Sequence, residues 1–261
     1  MAVGGATAYE LVDHGILPGK QRLDELDGAC SVPAPTLSFA PLGPSFSDQF
    51  FSSARGRSVG YTIAYPPGHQ RGDQLSLIVV LHGYGDNHVT ALKGMTPAQA
   101  VALRPQHEPM AMVVEELIPM CQGLGLGRQP QQIKLMGISM GGFGALAIAE
   151  SVPHLIHGVA AISPAIWTTY DQAQEANPNA FASRRSFEHY DVISHAEKLA
   201  GLPLRVAVGT DDPFFPGVKT FVEAVPHPER VVFDSGCHTN SFFLAQEPPS
   251  IQFLSRYVVH G

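Results

Sequence analysis

One stretch limits what this chain can fold into more than any other. The apolar run Ile133-Lys134-Leu135-Met136-Gly137-Ile138 passes into Ser139-Met140-Gly141 and then into the small-residue series Gly142-Phe143-Gly144-Ala145-Leu146. G-x-S-x-G between a strand and a helix puts the serine on a sharp, strained turn, where its hydroxyl stands clear of the backbone within reach of a base and of a substrate carbonyl. Gly137 and Gly141 suit so tight a turn, because a Cβ beside it would clash. The motif alone arises by chance in Gly-rich chains; the strand before it and the helix after it give it structural meaning. The expectation is an α/β fold with Ser139 as a nucleophile at the carboxyl edge of a parallel sheet.

Other segments fit strands of the same sheet. Residues 75–81 (Leu-Ser-Leu-Ile-Val-Val-Leu) are a near-continuous aliphatic run, as a strand buried on both faces requires. They empty into His82-Gly83-Tyr84, a turn positioned to supply the second backbone N–H of an oxyanion site; a plain tight turn is the alternative. His82, Asp86 and His88 lie close in sequence but show no metal-ligand spacing, so no metal site and no cofactor are expected. Residues 158–163 read as a further buried strand leading to Pro164-Ala165-Ile166-Trp167, which places Trp167, the only tryptophan, either along the substrate pocket or as a structural anchor. Residues 170–191 are polar and mixed, suited to a small lid or helical excursion.

The acid and the base follow late strands. Residues 204–208 end in Gly209-Thr210-Asp211-Asp212-Pro213-Phe214. A carboxylate there, after the serine and before the histidine, matches the chain order Ser, Asp, His. Asp212 has the G-x-x-D spacing from Gly209 and is favoured over Asp211; a helix N-cap role suits whichever is not used. The strand at 230–233 leads to Gly236-Cys237-His238, and of the twelve histidines only His238 has this setting after the acid loop. Cys237 reads as a packing residue, since no motif presents it on a turn.

Elsewhere the sequence is less specific. Residues 1 to about 70 are rich in Gly, Pro and Ser and read as an irregular arm, with a short helix at 23–26, followed by a hairpin of strands 50–54 and 58–65 joined at Arg55-Gly56-Arg57. This divides one domain into an arm with the first strand, 1–57, and a catalytic part, 58–261. Helices are expected at 96–103, with Thr96 as N-cap and Pro97 in the first turn, at 110–118 ended by Pro119, at 218–222, and at 249–258. With 261 residues and 44% hydrophobic content the chain can bury a sizeable core. A net charge of -7 without a Lys/Arg cluster argues against nucleic acid as a partner, and no apolar run is long enough to span a bilayer. Cys30, Cys121 and Cys237 allow one disulfide with one thiol left over, and a Cys30–Cys121 pair is left open. The first eight residues lack the basic n-region of a complete leader.

Taken together, Gly137-Ile138-Ser139-Met140-Gly141-Gly142, Gly209-Thr210-Asp211-Asp212-Pro213-Phe214 and Gly236-Cys237-His238 resemble the esterase D family of α/β-hydrolases. That family includes S-formylglutathione hydrolases, feruloyl and enterochelin esterases and mycolyltransferases. The resemblance covers Ser58 to the C-terminus and implies an α/β-hydrolase fold, a mostly parallel sheet with helices on both faces. It implies Ser139 as nucleophile, His238 as base, Asp212 as orienting acid and the N–H groups of Tyr84 and Met140 as oxyanion donors; separately from it, Trp167, His82 and Phe214 are expected at the substrate. The implied activity is hydrolysis of a small-molecule carboxylic ester; acyl transfer to a sugar or lipid acceptor is the alternative, and a silent binding protein would have lost one of the three residues. Residues 8–20 are similar to the start of exported actinobacterial esterases, which favours export or the cell envelope over the cytoplasm. The family has a further parallel strand and an active-site loop between the oxyanion turn and the helix before Ser139, yet 104–109 is too short for them. Two expectations follow: that residues are missing from the sequence near Leu103–His107, or that 110–114 supply the strand.

Overall fold

The computed structural model describes Cys30 and residues 43–85, 87–89, 100–103, 109–129 and 132–257. Of the arm, residues 1–29 and 31–42 lie outside these residues, among them the helix expected at 23–26, as does the cap at Thr96. Strands β1 (Ser45–Ser52) and β2 (Arg57–Ala64) pair antiparallel over their whole length, from Ser45 opposite Ala64 to Ser52 opposite Arg57. β1 begins five residues before the expected start. Phe46 and Phe50 set its buried face by packing on Tyr61, and Phe46 also on Tyr65, while exposed Asp48 between them interrupts the apolar alternation that would announce a strand.

The parallel part of the sheet consists of β3 (Leu77–Leu81), β4 (Ala100–Leu103), β5 (Ile133–Ile138), β6 (Val159–Ile162), β7 (Leu204–Gly209) and β8 (Arg230–Asp234). Their order, with the hairpin at one edge, is β1-β2-β4-β3-β5-β6-β7-β8. β4 corrects the sequence reading. Ala100–Leu103, expected at the end of a helix, lies parallel to β3 from Ile78↔Ala100 to Leu81↔Leu103 and antiparallel to β2 at Ile63↔Val101. The strand thought to be lacking is therefore present upstream, which removes the reason for inferring missing residues, and 110–114 do not supply it. Four apolar residues carry too little periodicity to separate strand from helix, and the unpaired edges of β2 and β3 decide the matter, since buried backbone groups must find partners.

Residues 109–123 form one helix, α1, from the segments Pro109–Ala111, Met112–Leu117 and Ile118–Gly123. It runs through Pro119 instead of ending there. Its middle segment is wound as a π-helix, in which the Ile118 N–H donates to Val113 O. Met112, Val113, Leu117, Ile118 and Cys121 are buried along it, so packing holds a helix that proline would otherwise interrupt.

Alternation along the central strands divides the core in two. Leu77, Val79 and Leu81 face a cluster shared with α1, with α2 (Met140–Ser151) and with α5 (Phe215–Ala224). Ile78, Val80, Met136, Ile138, Ala160 and Ile162 face α6 (Asn240–Ser255) through Phe242, Ile251 and Leu254. α6 starts nine residues before the expected helix and passes through Pro248 and Pro249. Those prolines made its first half illegible as a helix. Besides its apolar contacts, α6 is fixed by the buried Arg205 of β7, which donates to Gln246 Oε1 at 2.6 Å and to Ser250 Oγ at 2.7 Å. Between β6 and β7 the chain makes an excursion with α3 (Tyr170–Ala176) and α4 (Arg184–His189), capped by the hydroxyls of Thr169 and Ser183. It has a small core of Ala173, Phe181 and Phe187.

Candidate active site

Ser139 occupies the turn between β5 and α2 with φ 55° and ψ -118°, a conformation that a non-glycine residue adopts only where its surroundings enforce it. Its own N–H donates to Ile162 O at 2.9 Å, and its carbonyl accepts from Phe143 and Ala165, both at 3.0 Å. The flanking glycines are sterically required. A Cβ on Gly137 would lie 2.1 Å from Gly141 O, and one on Gly141 would lie 2.0 Å from Leu81 O. The side chain of Ser139 is thereby directed from the carboxyl end of the sheet.

Asp212 and His238 converge on it from the loops after β7 and β8. Asp212 is buried, accepts the Phe214 N–H on Oδ1 at 2.8 Å, and presents Oδ2 to His238 Nδ1 at 2.8 Å. His238 Nε2 lies 2.9 Å from Ser139 Oγ. A carboxylate can only accept, so the ring proton belongs on Nδ1 and Nε2 is left to accept the serine proton. Asp211 takes no part in this series; its carboxylate accepts from Thr210 Oγ1 at 3.1 Å. The loops that carry Asp212 and His238 are locked together by Thr210 N–H to Asp234 O at 2.8 Å and Asp211 N–H to Gly236 O at 3.0 Å.

Cys237, next to His238, forms a disulfide with Cys30 and is not a mere packing residue. The pairing with Cys121 is overturned as well: Cys121 is free and buried, and burial pushes its thiol up to about 12. The histidine ring is bracketed by Phe214, with ring centres 5.1 Å apart, and by Phe243, at 4.9 Å. Phe243 was not singled out in the sequence, because the helix that carries it was hidden by its two prolines. Trp167 stacks edge-on against Phe214 at 5.1 Å and Phe181 at 6.1 Å, which makes it a link, through Phe214, between His238 and the excursion of α3 and α4. Phe181 in turn meets Phe143 of α2 at 5.8 Å.

The turn after β3 reaches the same place. A Cβ on Gly83 would lie 3.6 Å from the Ser139 Cβ, so this backbone passes directly beside the serine. The His82 ring is buried and its Nδ1–H donates to Gly83 O at 2.7 Å, while the Tyr84 side chain is exposed. His82 thus braces the turn from beneath.

The family model Esterase, described as "Putative esterase", matches residues 97–230, just over half of the chain. The chain belongs to this esterase family. Membership makes it a serine hydrolase of carboxylic esters. No curated protein matches the esterase in sequence. Among solved structures it is similar to an S-formylglutathione hydrolase from Staphylococcus aureus, with TM-score 0.70 and 13% identity over 82% of this chain and 99% of the other. A fluorophosphonate-binding serine hydrolase from Staphylococcus aureus gives TM-score 0.64 and 15% identity over 82% and 99%. A ferulic acid esterase from Anaeromyces mucronatus, in complex with ferulic acid, gives 0.61 and 14% over 86% and 96%. At these identities the structural matches speak for the α/β-hydrolase fold of the esterase.

Proposed function

We propose that Ser139, His238 and Asp212 form the catalytic triad of this esterase and that the N–H groups of Tyr84 and Met140 form its oxyanion hole. The observation that carries the reading is the hydrogen-bonded series from Asp212 Oδ2 through both nitrogens of His238 to Ser139 Oγ, at 2.8 and 2.9 Å. In the forward step Ser139 Oγ attacks the ester carbonyl while its proton passes to His238 Nε2. Asp212 holds the imidazole in the required tautomer and stabilises the imidazolium. Negative charge on the carbonyl oxygen is met by the two N–H donors, that of Met140 preorganised at the N-terminus of α2 and that of Tyr84 on the turn beside Gly83. Collapse of this intermediate expels the alcohol, which takes the proton from His238. Water then attacks the acyl-enzyme with the same histidine as base, releasing the acid and the free serine.

His82, Phe214 and Trp167 enter this reading as residues bordering the substrate, with Phe243 added on the far side of His238. The catalytic part spans 58–261, the arm 1–57, and the disulfide beside the base supports an oxidising, exported setting. The test is hydrolysis of p-nitrophenyl esters of increasing chain length by the wild type and by Ser139→Ala. Loss of about a millionfold in kcat is expected, from the scale of nucleophile deletions in serine hydrolases. Equal rates in the two proteins would refute the assignment.

A further inference from the structure

The loop that leaves β3 beside Ser139 does not end its contacts at the sheet position next door. β4 lies between β3 and β2, yet the loop reaches across to β2. There the His88 ring occupies the space over Gly60: a Cβ on Gly60 would lie 2.3 Å from His88 Nε2 and 2.6 Å from Cδ2. Nδ1 of the same ring is 2.8 Å from Thr62 Oγ1. Thr62 is buried, and its hydroxyl is also 2.8 Å from Ser47 Oγ on β1. A hydroxyl has one proton and two lone pairs, so Thr62 can serve both neighbours at once. Three strand residues thus hold one loop histidine, one by leaving room for it and two through a hydrogen-bonded series.

We infer that His88, seated on Gly60 and bonded to Thr62, is a positioning residue that sets the height of the turn bearing the Tyr84 N–H above Ser139. This rests on the oxyanion role proposed for that N–H. The turn passes the serine at Gly83 and is tied down at His88, five residues on, so its backbone is held at both ends: by β3 and the His82 ring on one side, by the His88 anchor on the other. An oxyanion donor acts only when it lies 2.7–3.1 Å from the developing charge, and loss of one costs about 10²–10³ in kcat. An anchor that fixes this distance to a fraction of an ångström therefore bears on the transition state and not on the bound ester.

The experiment compares Thr62→Val, which keeps the shape and removes the hydroxyl, with Thr62→Ser, which restores it, and with His88→Phe, which keeps a ring and removes the nitrogen. For Thr62→Val and His88→Phe, kcat on a p-nitrophenyl ester should fall about tenfold or more with KM within about twofold. The affinity for a trifluoromethyl ketone, whose serine adduct carries the same oxyanion, should fall by the same factor. Thr62→Ser should recover kcat to within about twofold of wild type. Circular dichroism and thermal melting confirm that each variant is folded, and the loop variant His88→Phe stands in if Thr62→Val does not fold. Unchanged kcat and ketone affinity in a folded variant would overturn the inference, as would equal losses in Thr62→Val and Thr62→Ser. Ser139→Ala separates the two levels. If it is inactive while Thr62→Val is normal, only the positioning role fails; if it is fully active, the proposed function fails and the inference with it.

Discussion

Replacing Glu150 by glutamine should stabilise the protein at neutral pH and leave its stability unchanged in acid. Glu150 lies near the C-terminal end of α2, is 5% exposed, and its Oε1 has no hydrogen-bond partner among the described residues. Burial pushes the carboxyl from 4.5 up to about 9; Lys198 opposes the shift, and Asp191 and Glu197 add to it. The folded value is thus above the unfolded one. Stability is fully present below pH 4.5 and is lost as pH rises from there toward 9, because ionisation is easier in the unfolded chain. At pH 7 the interval from 4.5 corresponds to about 3 kcal/mol at about 1.4 kcal/mol per pH unit. The carboxyl borders a cavity of about 130 Å³ lined also by Ser151, His189, Tyr190, His195 and Lys198, which admits water and reduces the penalty. The expected gain for Glu150→Gln at pH 7 is therefore about 1–3 kcal/mol. The assay is urea unfolding of both proteins at pH 4.5, 6, 7 and 8, with equal m-values required for the comparison. The difference should be near zero at the lowest pH and grow with each step. A variant less stable than wild type at pH 7 would refute the reasoning, since it would mean that Glu150 is ionised and gains more from Lys198 than burial takes away. A difference that does not change with pH would refute it too.

Two further outcomes follow from the site. Asp212→Asn should lower kcat about 10⁴-fold by favouring the wrong tautomer of His238, while Asp211→Asn, whose carboxylate bonds only Thr210 among the groups described, should stay within about threefold; p-nitrophenyl ester kinetics distinguish them. Thiol titration with Ellman's reagent should find no reactive cysteine in the native protein, one after unfolding without reductant and three after reduction, and Cys30→Ser should cost about 2–4 kcal/mol in urea unfolding. Two or more thiols in the unreduced, unfolded protein would exclude the Cys30–Cys237 bond.

That Ser139, Asp212 and His238 stand together could be read from the sequence, for one physical reason. Ser139, Asp212 and His238 each follow a strand, β5, β7 and β8, and β5 and β7 are buried along their whole length and so written as apolar runs broken by one charged residue each, Lys134 and Arg205, which make their ends visible. What could not be read depended on tertiary demand. Ala100–Leu103 is a strand because β2 and β3 need a partner, and no local signal says so. The helices running through Pro119 and through Pro248 and Pro249 persist because their apolar faces are packed. β1 starts under Phe46 although Asp48 breaks its pattern. Three cysteines permit three pairings, and only the folded chain brings Cys30 to Cys237. The seat of His88 over Gly60 joins residues that nothing in their spacing relates.

The guanidinium of Arg205 has a consequence for His238. Its two acceptors, Gln246 and Ser250, are four residues apart on α6 and so share one side of that helix. If α6 slipped along the sheet by one residue, it would move about 1.5 Å and rotate by about 100°, turning both acceptors away and leaving a buried cation without partners. Apolar contacts alone would tolerate such a slip far better. Because α6 begins two residues after His238, the slip would carry the imidazole off its contacts with Asp212 and Ser139, at 2.8 and 2.9 Å. The buried charge of Arg205, on the face of the sheet that α6 covers, thus acts as a depth gauge for the helix that follows His238.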